Sequence, residues 1–408
     1  MWFAGIDWAD DHHDAVVLTD QGQLLGALRV PHTAEGLDHL TRFLRGGAST
    51  SGAAEPVICL VETQHGLLIT ALLEAGFTVC PVNPLAVGRL RPPSGVKTDA
   101  LDARLLARLG RNDWPALRVL PPDGPLLQEL KTLTRDLEGV LREQTRLVNQ
   151  LTACLKAYSP AALRCFDGLT RQVTLAFLQA FPTPEAAAAA ALDQLDQLTQ
   201  VLAQGHYPHP RQKAEQLAAL LQAPQLHALP GVARAKARLM AALRAQLAVL
   251  TTQVAAFDQA IQQLFAQPAD SAVFASLPGA GRRLAPRLVA EWGEDRTRSA
   301  RAASVRALAG TAPVLFQSGA FRGVRRRRAC VNAWRQALSH FAWESVLCEP
   351  WATASSQRKR AQGKTSAMAL RAVAHQWVRS IYAMWQARQP YQRAIFLAAQ
   401  HAHGGMVA

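Results

Sequence analysis

Residues 2–30 read WFAGIDWADDHHDAVVLTDQGQLLGALRV, in which three short apolar segments are separated by polar turn residues. The segments WFAGIDW (2–8), DAVVLT (14–19) and LLGALRV (24–30) predict three β-strands joined in a meander. Downstream, the apolar pattern predicts a helix over 34–46, a strand over 56–61, a helix over 66–75, a strand over 77–82 and a helix over 99–109. The resulting order, βββαβαβα, predicts a mixed sheet flanked by helices.

This order is also that of the ribonuclease-H-like, or RuvC-like, fold, so we expect an α/β domain of that type over residues 1–113. Four prolines and a glycine in residues 115–125 predict a linker after it. Apolar residues at alternating four- and three-residue spacing from Leu126 to Cys154, and again from Leu243 to Leu264, predict two long helices. They are expected to form a coiled coil within one chain or across a dimer, or to be simply two core-facing helices.

Polar residues interrupt this central region at two places. Gln144 takes the position that would complete the first apolar series. Between the long helices, residues 185–222 are rich in alanine and glutamine and are broken by GHYPHP at 205–210, which predicts a helical insertion with a turn. His206 and His209 are interpreted as solvated turn residues, and no metal-binding role is assigned to them.

The chain is strongly basic, with 44 Lys and Arg against 30 Asp and Glu and a formal net charge of +14. Residues 271–386 hold nineteen Lys and Arg against five Asp and Glu, so this stretch accounts for the whole excess. The arginines alternate with Gly, Trp and Ser instead of lying on one amphipathic helix, which favours nucleic acid over a membrane surface as the partner. Since no signal peptide and no run of about 18 apolar residues is present, a cytoplasmic protein without a membrane partner is expected.

Four acidic residues are placed by the predicted elements where they can converge. Asp7 lies at the end of the first predicted strand, and Glu62 directly follows the strand over 56–61. Asp99 and Asp102 are three residues apart at the start of the last helix, so they share one face near its positive end. Four carboxylates at one point need neutralising, and Mg²⁺ (or Mn²⁺) with oxygen ligands is the usual solution. Two such ions would support phosphodiester cleavage, although each acid taken singly is better explained as a turn, strand-end or helix-cap residue.

The basic stretch contains a serine next to a run of arginines. In LAGTAPVLFQSGAFRGVRRRR (308–328), Ser318 lies in a glycine-flanked turn ahead of the arginines at 322 and 325–328. A serine attacks phosphorus only when a base or metal removes its proton and cations stabilise the transition state, and the arginines meet the second requirement. Upstream, SLPGAGRRLAPRLVAEWG (276–293) predicts two helices joined by a tight turn that presents backbone N–H groups to a phosphate. The alternatives are a turn serine without chemistry and a plain phosphate-binding face.

Taken in order, these motifs resemble those of the DEDD-type insertion-sequence transposases, the "one-ten" family of serine-assisted recombinases, and the related site-specific DNA invertases. The resemblance covers nearly the whole chain. It rests on GIDWAD with Asp7, LVETQHG with Glu62, VNPLAVGRL, KTDALDARLLA with Asp99 and Asp102, SLPGAGRRLAPRLVAE, and LAGTAPVLFQSG with Ser318.

The resemblance implies a DNA transposase and site-specific recombinase. Its RuvC-like domain would bind Mg²⁺ through Asp7, Glu62, Asp99 and Asp102, and its mostly α-helical C-terminal transposase domain would carry Ser318 as the nucleophile that forms a covalent phosphoserine link. It further implies donor and target DNA as substrates, a structured noncoding bridge RNA as guide, and a homodimer or homotetramer whose composite sites combine acids and serine from different subunits. The residues expected to bind nucleic acid are Lys97, Arg322, Arg325, Arg326, Arg327 and Arg328.

The predicted organisation has a metal-binding domain at 1–113, a linker and coiled-coil region with the alanine-rich insertion at 114–270, a serine-bearing transposase domain at 271–390 and a tail at 391–408. Two other functions stay open. One is a structure-selective DNA nuclease or Holliday-junction resolvase that uses water, in which Ser318 only positions phosphate. The other is a helical nucleic-acid-binding scaffold whose acids are structural.

Overall fold

A computed structural model of the chain describes residues 1–46, 55–91, 96–120, 123–299, 301–319 and 321–402. The chain divides into two compact units. The first contains Met1–Gly124 and Asp295–Ala300, and the second contains Pro125–Glu294 and Arg301–Ala408. The first unit holds a mixed α/β sheet, and the described part of the second is helical apart from one hairpin.

The first unit is built on a five-stranded sheet of order β3-β2-β1-β4-β5. Its strands are β1 (Trp2–Trp8), β2 (His12–Thr19), β3 (Leu24–Pro31), β4 (Val57–Val61) and β5 (Thr78–Pro81). Its helices are α1 (Ala34–Gly46), α2 (Leu67–Glu74), α3 (Pro84–Gly88) and α4 (Asp99–Asp113). β1 is antiparallel to β2 and parallel to β4. The predicted order βββαβαβα is confirmed, with the short α3 added, and it is consistent with a ribonuclease-H-like fold.

Helix α4 lies unusually close to β1, and glycine makes this approach possible. A β-carbon on Gly5 would lie 1.9 Å from the Ala103 carbonyl oxygen, and one on Gly110 would lie 3.0 Å from the Phe3 ring. Contacts of Gly5 with residue 103 and of Phe3 with residue 110 mean that α4 runs antiparallel to β1. The first turn of α4 therefore lies over the carboxyl end of β1.

The two predicted long helices, α5 (Pro125–Tyr158) and α11 (Pro230–Phe265), pack on each other within the chain. They are antiparallel, since Gln144 bonds Thr251 and Cys154 contacts the carbonyl of Lys236. Gln144 Nε2 donates to Thr251 Oγ1 over 3.2 Å, so the break in the apolar series is filled by a polar pair. Coiled-coil geometry stays a prediction.

Among the described helices, α11 is the one that is long and apolar enough to cross a membrane. Its buried residues include Leu243, Leu247, Val254 and Ile261, the apolar positions that the sequence pattern singles out. A core helix of a globular domain passes the same length and composition test, so α11 is weak evidence for a membrane span.

The insertion between the long helices forms its own small helical core. Its helices are α6 (Ala162–Cys165), α7 (Gln172–Ala180), α8 (Pro184–Asp193), α9 (Leu195–Gln204) and α10 (Pro210–Gln222). Their apolar residues join the core formed by the carboxyl end of α5 and the amino end of α11. The turn predicted at 205–210 is present, with His206 and His209 at φ 56° and 54°.

The rest of the second unit packs around tryptophans. Its elements are α12 (Ser271–Ala275), α13 (Gly281–Trp292), α14 (Ala302–Leu308), β6 (Pro313–Ser318), β7 (Phe321–Arg326), α15 (Asn332–Cys348), α16 (Pro350–Ala361), α17 (Ser366–Ala387) and α18 (Arg393–Ala402). Trp292, Trp334, Trp377 and Trp385 are at most 2 % exposed and form this core with the amino end of α5. The turn and the second helix predicted over 276–293 are present, whereas the first helix, α12, ends at Ala275, before that range. The strands β6 and β7 were not predicted.

Candidate active site

Strand register and helix packing bring the four predicted acids to one edge of the sheet. Ile6 pairs with Val61 in the parallel β1–β4 ladder, so Asp7 and Glu62 follow at neighbouring positions. Asp99 and Asp102 lie in the first turn of α4, which covers the same end of β1. Thr98 caps this helix by accepting a hydrogen bond from the Leu101 amide, and the cap determines where the acidic turn begins.

The carboxylates are close enough to change one another's protonation. Burial and then the negative charges of Glu62, Asp102 and Asp99 raise the pKa of Asp7 to about 6. Burial and the charge of Asp102 also raise the pKa of Glu62. Lys97 opposes both shifts, so this predicted cationic residue lies beside the acids. A charged group changes the pKa of another only when the two lie close together, because Coulomb energy falls with distance.

Asp102 has a partner that the sequence analysis missed. Its carboxylate, 2 % exposed, is bound by both arms of Arg91, with Nε 2.9 Å from Oδ1 and Nη2 2.5 Å from Oδ2. The charge of Arg91 also lowers the pKa of Glu62. A buried carboxylate needs such compensation. The guanidinium group of Arg91 therefore offsets the negative charge of Asp102, as a bound metal cation would.

A second unpredicted group, on β2 and β3, lies beside Asp99. His12 Nε2 is 3.2 Å from Asp99 Oδ2, and Arg29 Nη2 is 2.8 Å from Asp14 Oδ2. Among the described residues, the possible metal-ligand atoms that all lie within 4.8 Å of one another belong to His12, Asp14 and Asp99.

These residues were missed because the predicted second strand began at residue 14, whereas β2 begins at His12. In the actual strand His12 and Asp14 are two residues apart and share one face. Asp14 is directly opposite Asp7 on β1 and Arg29 on β3, so a row of charged side chains crosses the sheet. In DDHHDA (10–15), His12 and Asp14 are two residues apart. This spacing indicates the row of charged side chains once the predicted strand is extended back to His12.

The donor set fits a hard divalent cation. Glu62 Oε1 is buried and has no hydrogen-bond partner among the described residues. Burial raises the pKa of Asp7, and the charges of neighbouring acids raise it further. Carboxylate oxygens of this kind are the ligands that Mg²⁺ and Mn²⁺ prefer.

The raised pKa of Asp7 predicts how stability depends on pH in a chelating buffer. The folded protein keeps a proton on Asp7 up to about pH 6, whereas in the unfolded chain the pKa is near 3.8. Folding therefore takes up a proton between these values, so stability falls as the pH rises through this interval and stays lowered above it. Asp7→Asn is expected to remove this fall and to be more stable than the wild type at pH 7, as measured by urea unfolding at pH 5, 6 and 7.

Asp20→Asn, a change at an exposed turn outside the cluster, is the matched control and should keep the wild-type pH profile. If the stability of the wild type and that of Asp7→Asn changed with pH in the same way, the result would contradict a raised pKa for Asp7. Adding Mg²⁺ at pH 7 should raise the stability of the wild type and have little effect on Asp7→Asn.

Ser318 lies in the second unit at the tip of the hairpin formed by β6 and β7. It is the last residue of β6 and precedes Gly319, whose φ of 55° is the left-handed conformation that glycine favours. The side chain is exposed, and its hydroxyl makes no hydrogen bond with the described residues. The predicted glycine-flanked turn is thus the end of a strand, and the hydroxyl is accessible.

The hairpin divides the arginines that the sequence analysis treated as one group. Directly opposite residues share a face, so Ser318 shares its face with Phe321, Phe316 and Arg325. Arg325 lies 4.0 Å from the Phe316 ring centroid. Arg322 and Arg326 lie opposite Gln317 and Pro313, on the other face. Arg327 and Arg328 follow β7. Of the arginines on β7, Arg325 alone shares a face of the hairpin with Ser318, and it lies opposite Val314, four residues before Ser318.

A mixed sheet with carboxylates at one edge, followed by an arginine-rich helical region, is an arrangement that suits an enzyme acting on DNA. A transposase model, DEDD_Tnp_IS110, matches residues 4–160. A second model, described as transposase IS116/IS110/IS902 family, matches residues 271–357. The chain belongs to the IS110 family of transposases.

Relatives of similar length support this assignment. The "Mini-circle putative transposase for IS117" of Streptomyces coelicolor is 33 % identical over 401 residues, which cover 96 % of each chain. The "Insertion element IS900 uncharacterized 42 kDa protein" of Mycobacterium paratuberculosis is 26 % identical over 98 % of this chain and 99 % of its own. The "Insertion element IS110 uncharacterized 43.6 kDa protein" of Streptomyces coelicolor is 26 % identical over 94 % of this chain and 93 % of its own.

Proposed function

We propose that this transposase cleaves and exchanges DNA strands with Mg²⁺ (or Mn²⁺) at the acidic cluster and Ser318 as the nucleophile. The observation that carries the proposal is that acids from three separate stretches of chain lie at one edge of the sheet, where the charges of Glu62, Asp102 and Asp99 add to burial in raising the pKa of Asp7. Asp102 and Asp99 have local partners in Arg91 and His12. Glu62 Oε1, by contrast, is buried without a hydrogen-bond partner among the described residues.

Asp7, Glu62, Asp99 and Asp102 are the residues that would hold the cation. When bound, the cation supplies Lewis-acid stabilisation of the oxygens that gain charge during phosphodiester cleavage. Arg91 and His12 hold Asp102 and Asp99 by hydrogen bonds, so they orient two of the four carboxylates. Lys97, beside Asp7 and Glu62, is placed to contact a DNA phosphate.

Ser318 acts by forming a bond from Oγ to the phosphorus of a DNA phosphodiester. The bond from phosphorus to one sugar oxygen breaks, the serine proton passes to a base, and the departing sugar oxygen takes up a proton. Attack by a DNA hydroxyl on the phosphoserine reverses these changes and joins a new strand. Arg325, on the same face as Ser318, is the guanidinium best placed to stabilise the charged phosphoryl group.

The proposal includes the partners that this mechanism needs. The substrates are donor and target DNA, and a noncoding bridge RNA selects them by base pairing. The acids of one subunit and the serine of another act together in a homodimer or homotetramer, located in the cytoplasm with its DNA. The functional division is a metal-binding domain at 1–113, a linker and coiled-coil region at 114–270, a transposase domain at 271–390 and a tail at 391–408.

A structure-selective nuclease or junction resolvase is the second candidate. The observation that favours it is that Ser318 has no hydrogen-bonded base within the described residues. Such an enzyme would use the acids with water, and Ser318 would only bind phosphate. A covalent adduct between the protein and DNA separates the two candidates.

Glu62→Gln tests the acidic cluster. Glutamine keeps the shape of the side chain but loses its charge, so cleavage of element-end DNA in Mg²⁺ is expected to fall roughly 10²- to 10³-fold. The affinity for Mn²⁺, measured by paramagnetic resonance of the free ion, should fall in parallel. Glu74→Gln, at the exposed end of α2, is the matched control and should behave as the wild type. Wild-type cleavage by Glu62→Gln would reject the proposed metal site.

A further inference from the structure

A row of basic side chains runs along α17. It belongs neither to the acidic cluster nor to the β6–β7 hairpin. Arg371, His375 and Arg379 are four residues apart, so they share one face of this helix. Arg379 is exposed, and the other two are half-buried. Burying a guanidinium group costs free energy unless an anion or a hydrogen-bond acceptor compensates for the lost hydration. The row therefore calls for an explanation other than stability.

Neighbouring elements add further positive charge to this row. Helix α14 packs on α17, and burial followed by the charge of Arg306 on α14 lowers the pKa of His375. His375 Nδ1 is 3.3 Å from the carbonyl oxygen of Thr311, two residues before β6. Burial, and then the charges of Arg326 on β7 and Arg335 on α15, lower the pKa of Arg371. We call this group the α17 cation strip, and its members are Arg306, Arg326, Arg335, Arg371, His375 and Arg379.

The strip lacks the acidic partners that other buried arginines of the unit have. Arg135 pairs with Glu291, and Arg287 pairs with Glu138. Among the described residues, no carboxylate forms an ion pair with an arginine of the strip. Within the part of the chain that the structure describes, Arg306 Nε is buried and has no hydrogen-bond partner. Guanidinium groups stay charged at any physiological pH, so their repulsion persists until an anion binds.

We propose that the α17 cation strip binds the phosphodiester backbone of the nucleic acid whose phosphate reaches Ser318. The strip adjoins the base of the hairpin. Arg326 is the last residue of β7, and Thr311, which contacts His375, lies two residues before the start of β6. Arg371 and Arg379 are about 12 Å apart along the helix axis, so they contact different phosphates of one backbone. Planar guanidinium groups bind phosphate oxygens through paired hydrogen bonds. This inference rests on the proposed function only for the identity of the ligand.

The test is the salt dependence of duplex binding by the full chain in a chelating buffer, where no strand is cleaved. Arg371→Gln/Arg379→Gln is expected to lower the slope of log affinity against log salt by about two, one for each lost phosphate contact. Its melting temperature should be equal to or above that of the wild type, because repulsion is removed. Arg371→Lys/Arg379→Lys keeps the charge and should keep most of the slope.

Arg142→Gln/Arg146→Gln is the matched control, with the same charge loss at exposed positions one turn apart on α5. It should leave the slope near that of the wild type. The proposal is overturned if the strip variant keeps the wild-type slope, or if the control loses as much. Parallel measurements use a DNA duplex and an RNA duplex of the same sequence. A lower slope on the DNA duplex supports the strip as a binding site for the DNA that reaches Ser318, and a fall on the RNA duplex alone overturns the proposal. Because binding is measured without chemistry, the result is independent of whether Ser318 is the nucleophile.

Discussion

Ser318→Ala is expected to reduce DNA strand exchange by about 10⁴-fold or more, because removing a nucleophile takes away the covalent route altogether. The wild-type protein incubated with element-end DNA and Mg²⁺ should yield a covalent species that resists denaturation and is lost on treatment with a protease. The variant should yield none. Folding should be unaffected, since the Ser318 side chain is exposed and makes no hydrogen bond with the described residues.

Ser339→Ala, an exposed serine of α15, is the control for Ser318 and should retain the adduct and the full rate. Ser318→Ala should also bind Mn²⁺ as tightly as the wild type, because the acids are untouched. Cleavage at the wild-type rate by Ser318→Ala, with no adduct from either protein, would instead favour the junction-resolving nuclease.

Gly5→Ala is expected to damage stability and chemistry together. The new methyl group would lie 1.9 Å from the Ala103 carbonyl oxygen and 2.4 Å from the Ala107 amide nitrogen, so α4 must move away from β1. Overpacking of this kind costs about 1–3 kcal/mol or more. A displacement of about 1 Å at a reacting centre lowers the rate about 10²-fold. Because α4 carries Asp99 and Asp102, the Mn²⁺ affinity should fall as well.

Gly46→Ala provides the comparison for Gly5, since a β-carbon at Gly46 has no atom within 4 Å. It should match the wild type in urea unfolding, Mn²⁺ titration and DNA cleavage. Wild-type stability and metal affinity in Gly5→Ala would show that the close contact between α4 and β1 does not position the acids.

Much of the first unit is predictable because its signals are local. Alternating or continuous apolar segments determine strands and helices, and turn residues separate them. The order of the elements then places Asp7 and Glu62 at strand ends and Asp99 at a helix start. Convergence of the acids follows from this order, since neighbouring parallel strands end at the same edge of a sheet.

The other charged residues of the site depend on pairing that leaves no local pattern. Arg91 lies in a loop, and its bond to Asp102 is visible only when α3 and α4 are packed. Asp14 meets Arg29 through the register of β2 and β3. The hairpin was missed because its strands are exposed on both faces and carry no alternating apolar pattern that distinguishes them from an arginine-rich turn.

The order of elements, the acidic positions, the basic C-terminal stretch and the two long helices follow from the chain itself, because spacing and composition are properties of neighbouring residues. Tertiary structure decided which cations meet those acids, how closely α4 approaches Gly5 and which arginine shares a face with Ser318. Each of these contacts depends on strand register or on helix packing. Both bring together residues that are far apart in the sequence, so no single segment of the chain determines them.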